Sequence, residues 1–287
     1  MSTLADLQGR VAVVTGGGSG LGAAMCHQFA SAGMAVAALD IDEANAQATA
    51  ESLAREFGVP TIAARVDVGD TASVHAAAAS VRAALGGCDV LCANVGVQQF
   101  GAIDRLTEDD WRWVLEVNVL GTVRTVAAFL PMIRERAPAE GAGLRRILLT
   151  ASSGALVPGV RLAAYTASKD AVIGYGETLR QELADEGIGV MIVFPAGMST
   201  RHLESSKLAR PEEIGEWVIA PDDIDAMMSS RKVGEEHVAT AEHAVRNLVA
   251  DLVANEPYLI THGAYRAEYH ARLAALEAAF DRMEGNP

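Results

Sequence analysis

Val11-Ala12-Val13-Val14-Thr15-Gly16-Gly17-Gly18-Ser19-Gly20-Leu21-Gly22 passes from an apolar, β-branched run straight into a glycine-rich turn, and the turn opens a helical stretch. Glycines at such a junction let the backbone approach an anion closely, while the first N–H groups of the helix point at it. Strand, turn and helix in this order begin a βαβ unit, and the spacing fits the pyrophosphate of a dinucleotide. Gly16, Ser19, Gly20, Leu21 and Gly22 are therefore assigned to cofactor binding.

Asp40 ends the next apolar run, eighteen residues beyond Gly22. A carboxylate there accepts both hydroxyls of an adenosine ribose. Its charge repels a ribose phosphate, and neither Ser19 nor Ile41 supplies the Arg or Lys that would compensate. NAD is the expected cofactor, with NADP as the second choice, and Asp40 and Ile41 join the cofactor-binding set.

Further along, short β-branched runs alternate with Ala-rich stretches of helical period. Strands are predicted near 10–15, 34–40, 60–66, 88–93, 145–151, 188–194 and 257–261. Helices are predicted near 20–32, 42–57, 71–85, 107–136, 164–186 and 237–255. This alternation predicts an α/β fold, a Rossmann-type doubly wound sheet of seven parallel strands with helices on both faces. Residues 1–287 read as one domain. Residues 198–236, polar and weakly periodic, read as a substrate lid, and 137–143 as a turn. Residues 263–287 read as a C-terminal helical extension, with Leu273, Leu276 and Phe280 at amphipathic spacing.

Half of the 287 residues are apolar and 21% are charged, enough apolar material for a large core. Lys and Arg number 23 against 37 Asp and Glu, a net charge of −14 that opposes binding to nucleic acid or an anionic membrane. No stretch reads as the roughly 18 apolar residues of a membrane span, and the first residues lack a signal-peptide pattern. Cys26, Cys88 and Cys92 lie in apolar segments, which implies no disulfide framework and fits a cytoplasmic setting. The histidines form no cluster of ligand spacing, so no metal is assigned.

Tyr165-Thr166-Ala167-Ser168-Lys169 sets a phenol and an ammonium one helical turn apart on one face. A phenol starts near pKa 10, too high for proton transfer at neutral pH, and a neighbouring Lys⁺ is a physical means of lowering it. Ser152 lies thirteen residues earlier, at the carboxyl end of the fifth predicted strand, where open α/β sheets place their ligands. Its hydroxyl can hold a substrate oxygen, and Ser153 is the alternate candidate.

Thr15–Gly22, Asn94-Val95-Gly96, Asn118, Ser152 and Tyr165-x-x-x-Lys169, in this order, resemble the short-chain dehydrogenase/reductase family over about residues 8–261. The resemblance implies hydride transfer to or from nicotinamide with a tetrad of Asn118, Ser152, Tyr165 and Lys169. In it Tyr165 is the general acid/base, Lys169 also binds the nicotinamide ribose, Ser152 orients the carbinol or carbonyl oxygen, and Asn118 holds a water that links Lys169 to solvent. It also implies cofactor contacts from Asp67 and Val68 at the adenine, from Asn94 and Gly96, and from Pro195, Gly197 and Thr200 at the nicotinamide. Two departures from the family pattern are Ala93-Asn94-Val95-Gly96 and Pro195-Ala196.

The substrate cleft is expected to be closed by Val95–Phe100, Gly154–Val160 and, from the lid, Met198, Leu203, Leu208 and Trp217. This largely apolar set suits a bulky secondary alcohol or ketone. Arg161, Arg201 and Lys207 are the cations that could clamp a carboxylate, and His202 sits in the lid without an assigned catalytic role. Glu204–Pro211 and the tail from Tyr258 through Asp281 are similar to bacterial members that oxidise benzylic carbinols of lignin-type aryl ethers, and hydroxysteroid dehydrogenases are comparable. Small residues at Ala163, Ala164, Ala167, Ala171 and Gly174 allow close helix packing, and the family resemblance implies that this helix pairs in a homodimer or homotetramer. An NADPH-linked ketoacyl or carbonyl reductase is the first alternative, and a non-catalytic nucleotide-binding sensor is the second.

Overall fold

The computed structural model describes residues 7–136, 144–200, 202–217, 219–230 and 238–285. The predicted turn at 137–143, Arg201 and His237 lie outside them. Seven strands form one sheet: β1 (Val11–Thr15), β2 (Ala35–Asp40), β3 (Thr61–Arg65), β4 (Val90–Ala93), β5 (Arg146–Thr150), β6 (Gly189–Phe194) and β7 (Tyr258–Ile260). All pairs are parallel and the order is β3-β2-β1-β4-β5-β6-β7, so the chain reverses its direction of winding between β1 and β4. That reversal opens a crevice at the carboxyl ends of the strands.

Two-residue alternation sends side chains to opposite faces, and both faces are covered. Val11, Val13, Ile147 and Leu149 pack on one side with Phe129 and Ile133. Ala12, Val14, Leu148 and Val193 pack on the other with Met25, Phe29 and Leu248. Phe29 and Phe129 are fully buried on opposite faces, and truncating either to alanine is expected to cost about 3–5 kcal/mol. Cys26, Cys88 and Cys92 are buried and unpaired, and burial pushes their thiols up.

Helices α1 (Gly20–Ser31), α2 (Glu43–Phe57) and α3 (Thr71–Leu85) follow the first three strands. The predicted helix at 107–136 is α4 (Glu108–Leu115), a π turn at Glu116–Leu120 and α5 (Gly121–Glu135). By length and composition alone this run of 28 residues is long and apolar enough to cross a bilayer. Here its buried face, including Thr122, Thr125, Val126, Phe129 and Ile133, packs within the protein.

After β5 come the short α6 (Ser153–Leu156) and the long α7 (Ala163–Glu182). The lid region holds α8 (His202–Leu208), a 3-10 turn at Glu212–Ile214 and α9 (Pro221–Ser230). The helix predicted at 237–255 is two pieces, α10 (Ala241–Ala244) and α11 (Leu248–Ala254). Between them Arg246 bends back, donating to the carbonyls of His243 and Thr261. The extension forms α12 (Arg266–Glu284), tied to α6 by Arg272, which donates to the carbonyls of Ala155 and Leu156. Its apolar residues stay outside, with Leu276 54% and Phe280 57% exposed, and Tyr258 and Ile260 on edge strand β7 are exposed as well.

Candidate active site

The glycine turn is shaped by close backbone approach, with the Asp40 carboxylate accepting the Gly18 N–H. Gly16 and Gly20 sit at φ +69° and +50°, and a Cβ on Gly22 would run into the Gly16 carbonyl, so helix and strand approach as only glycine allows. Ser19 is the N-cap of α1 but its side chain makes no capping bond, and the first turn carries no acidic residue. The N-termini of α2, α3 and α4 are instead capped by Asp42, Asp70 and Thr107. The amides of Gly20, Leu21 and Gly22 are thus left for an external anion, as a dinucleotide pyrophosphate requires.

Asp40 closes β2 beside this turn. Its Oδ2 accepts the Gly18 N–H at 2.9 Å and its Oδ1 the Asp42 N–H at 3.1 Å, which fixes the carboxylate and leaves lone pairs for a ribose. Ile41 next to it is 44% exposed. Asp67 accepts the Gly69 N–H at 2.9 Å, and Val68 packs against Gly121. Asn94 braces three strands: its N–H donates to Thr15 Oγ1, its Nδ2 to the Thr15 carbonyl, and its Oδ1 accepts from Thr150 Oγ1.

Tyr165 and Lys169 lie on α7, 8% and 2% exposed. Lys169 Nζ donates to the Thr150 carbonyl at 2.8 Å and stands 5.9 Å from the centroid of the Tyr165 ring. A Cβ on Gly96 would come within 2.8 Å of that Nζ, so the glycine there makes room for the ammonium. Burial lowers the Lys169 ammonium to about 8. Ser152 Oγ accepts the Gly154 N–H at 3.1 Å. A Cβ on Gly154 would touch both Ser152 Oγ at 3.4 Å and Tyr165 Cε1 at 3.8 Å, so serine and tyrosine flank one point. Ser153 instead begins α6, its N–H donating to the Pro195 carbonyl.

Asn118 sits in the π turn, fully buried. Its Oδ1 accepts the Val97 N–H at 2.7 Å, and its Nδ2 reaches the Val97 carbonyl and Ser168 Oγ. Ser168 in turn donates to the Tyr165 carbonyl. This stitching between the loop after β4 and α7 was not legible in the sequence, because its members are 21 and 50 residues apart.

Residues 195–200 lead from β6 to the cleft, which Thr200 lines. Gly197 accepts from the Ala239 N–H and from His262, and Thr200 lies 3.5 Å from the point where a Cβ on Gly20 would stand. Beyond them a cleft of about 610 Å³ is lined by Thr200, Leu203, Glu204, Lys207, Trp217 and Ile219. Phe100, Leu162, Tyr165 and Trp217 form an apolar cluster beside it. Of the residues expected to close it, Leu203 and Trp217 line it, whereas Val95–Phe100 and Gly154–Val160 do not, Met198 packs against the core cluster, and Leu208 is 81% exposed. Of the expected cations Arg161 is held by Asp223, while Lys207 lines the cleft with Glu204. His202 comes within 6.4 Å of Tyr165, ring to ring, and burial together with the Lys169 charge pushes it down to about 4.

The lid is pinned by a residue that the sequence did not single out. Arg210, 7% exposed, pairs with buried Asp110 at 2.8 Å, bonds Gln99 and the carbonyls of Ile214 and Gly215, and lies over the Trp113 ring. Ser206 Oγ accepts the Gln98 N–H, and Asp223 is gripped by Arg105 and Arg161.

An open α/β crevice with an uncapped glycine turn at one end and a buried tyrosine–lysine pair at the other defines a nucleotide-dependent oxidoreductase. The short chain dehydrogenase family matches residues 10–211, and the chain belongs to that family. It is 31% identical to a C alpha-dehydrogenase of a Sphingobium species, covering 98% of this chain and 90% of that one. It is 31% identical to a 3beta-hydroxysteroid dehydrogenase of Eggerthella lenta over 77% of this chain and 85% of that one. A short chain dehydrogenase/reductase from Burkholderia phymatum, solved in complex with NAD, superposes with a TM-score of 0.85 at 29% identity over 96% of each chain. The chain is a short-chain alcohol dehydrogenase or ketoreductase acting on CH–OH groups.

Proposed function

We propose that this chain oxidises a bulky, largely apolar secondary alcohol with NAD, or reduces the matching ketone, with an aryl carbinol as the favoured class and a hydroxysteroid next. The observation that carries the reading is buried Tyr165, with Lys169 5.9 Å from its ring and Ser152 flanking the same point beside Gly154. The first relative's name, C alpha-dehydrogenase, and the apolar cluster of Phe100, Leu162 and Trp217 support the substrate class.

The uncapped amides of Gly20, Leu21 and Gly22 and the positive-φ glycine Gly16 fit a pyrophosphate. Asp40 would hold the adenosine ribose with Ile41 beside it, and a negative charge there disfavours NADP. Asp67 and Val68 would flank the adenine, Asn94 and Gly96 the ribose side, and Pro195, Gly197 and Thr200 the nicotinamide. The bound dinucleotide supplies hydride acceptance or donation at the carbinol carbon.

Tyr165 takes the hydroxyl proton in oxidation and returns it in reduction. Lys169 uses one donor on the Thr150 carbonyl and keeps others for the nicotinamide ribose, while its charge favours the phenolate. Ser152 Oγ, already receiving the Gly154 N–H, donates its own proton to the substrate oxygen and orients it. The Asn118 side chain is committed to Val97 and Ser168, so a water linking Lys169 to solvent would rest on its main-chain carbonyl at the π turn.

One domain carries this activity, with 198–236 as lid and 263–287 as extension. The exposed Tyr258, Ile260 and Phe280 support assembly as a homodimer or homotetramer, and the free buried thiols fit a cytoplasmic setting. The test is nicotinamide absorbance with NAD⁺ and NADP⁺ across aryl carbinols, hydroxysteroids and small secondary alcohols. NADH formation fastest on an aryl carbinol is expected. Turnover with NADP⁺ alone would overturn the Asp40 reading and favour a carbonyl reductase.

A further inference from the structure

The loop after β6 is held from outside by one imidazole that the chemistry proposed above does not use. His262 follows edge strand β7, with its Nε2 2.7 Å from the Gly197 carbonyl oxygen and its Nδ1 2.8 Å from Thr261 Oγ1. A carbonyl only accepts, so Nε2 carries the hydrogen, and in the neutral ring Nδ1 receives the Thr261 hydroxyl. Thr261 is buried, and its Oγ1 also lies 3.3 Å from the carbonyl of Phe194, the last residue of β6. Arg246 donates to the Thr261 carbonyl, and the His243 ring meets His262 edge-on at 6.5 Å. The imidazole therefore spans from a buried strand end to the loop, with both nitrogens engaged.

Gly197 has no side chain, so its direction is set through its peptide alone. Its carbonyl takes two donors, His262 and the Ala239 N–H at 3.1 Å, and the Ser199 N–H returns to the Ala239 carbonyl at 3.0 Å. The peptide is planar and trans, so fixing the Gly197 carbonyl also sends the Met198 N–H the opposite way. That N–H has no backbone partner among the described residues. We propose that His262 is a positioning residue for the nicotinamide end of the cofactor, its imidazole locking the Gly197–Met198 peptide in the orientation that the nicotinamide meets. This rests on the reading that Gly197 and Thr200 stand at the nicotinamide of a bound dinucleotide. His262 acts on the loop and not on the reacting atoms. Asp40 and the glycine turn are held by bonds of their own, so the loss of His262 is felt at one end of the cofactor.

The test compares NADH with ADP-ribose, which keeps the adenosine, both phosphates and the second ribose but lacks the nicotinamide. His262→Phe keeps a ring and removes both nitrogens, while His262→Gln restores a donor at the end of its side chain. By titration calorimetry, His262→Phe is expected to bind NADH about 10-fold more weakly than the wild type and ADP-ribose within about twofold of it. His262→Gln should recover most of the NADH affinity. Thr261→Val, which removes the hydroxyl that orients the ring, should show the same selective loss at about threefold, and it decides the matter if His262→Phe does not fold. Equal weakening of both ligands, unchanged NADH binding, or no recovery in His262→Gln would overturn the proposal. Binding needs no turnover, so the two readings fail separately. A selective loss in a protein that oxidises no alcohol keeps the His262 assignment and ends the alcohol dehydrogenase reading. An unselective loss in a protein that does oxidise alcohols with NAD⁺ does the reverse.

Discussion

The glycine turn at 16–22 and the lid region that begins at 198 meet where Thr200 abuts Gly20, yet they are held in place by different forces. In the turn, backbone contacts dominate the shape, with one carboxylate added: Gly17 N–H donates to the Leu39 carbonyl, Gly22 presses on Gly16, and Asp40 accepts the Gly18 N–H. In the lid, guanidinium–carboxylate pairs decide it: Arg210 with Asp110, and Asp223 between Arg105 and Arg161. A pyrophosphate looks the same in every reaction, so backbone amides suffice to hold it. A substrate has to be told from its analogues, and exchangeable side chains around an apolar wall are the means for that.

The sharpest way to probe the contrast is Tyr165→Phe, at the rigid end. The substitution keeps the ring and deletes the proton carrier, so kcat should fall by about 10²–10⁴. NADH affinity, measured by nucleotide fluorescence, should change little. Next comes Arg210→Met in the lid, which leaves Asp110 buried without its cation and should cost about 3–5 kcal/mol in urea unfolding. If the two regions are held as described, KM for the alcohol should rise in this variant while NADH binding is kept. Weakened NADH binding instead would mean that the lid also shapes the glycine turn.

His202 offers an acid-side test. Its folded pKa of about 4 lies below the ordinary 6.5, so above pH 6.5 it contributes nothing to the pH dependence of stability. As pH falls through 6.5 toward 4 the unfolded chain takes the proton first, and the fold loses stability, at most roughly 3 kcal/mol. His202→Asn should unfold less readily than the wild type at pH 4.5 relative to pH 7.5, as read by melting temperature at those two conditions. The smallest expected effect belongs to Asp40→Asn. It preserves shape but removes the charge proposed to face the ribose, and on that proposal should lower the preference for NAD⁺ over NADP⁺ by about 10-fold.

The same contrast explains what could be read from the sequence. β1, the glycine turn and α1 follow each other within one short stretch, and Val11 through Thr15 are all buried, so pattern and structure coincide there. Tyr165 and Lys169 were legible for the same reason, being one helical turn apart. The π turn was not, because the Asn118 side chain within it is bonded to Val97 and Ser168, residues remote in the chain. Met198 and Leu208 read as cleft residues by hydrophobicity alone, but their directions depend on the Met198–Ala239 bridge and on how α8 is pinned through Ser206 to Gln98. Arg210 carries no motif at all. Its partners Asp110 and Gln99 lie about 100 residues away in sequence, and only the folded chain brings them together.

The central claim is that a hydride passes between a carbinol carbon and nicotinamide while its proton passes through Tyr165. The most direct test is oxidation of an aryl carbinol deuterated at the carbinol carbon, with the NADH formed examined by mass spectrometry. One deuterium per NADH with none lost to water, formed about 10²–10⁴-fold more slowly by Tyr165→Phe, is the predicted result. Deuterium released to solvent, or labelled NADH formed by Tyr165→Phe at an undiminished rate, would contradict the account.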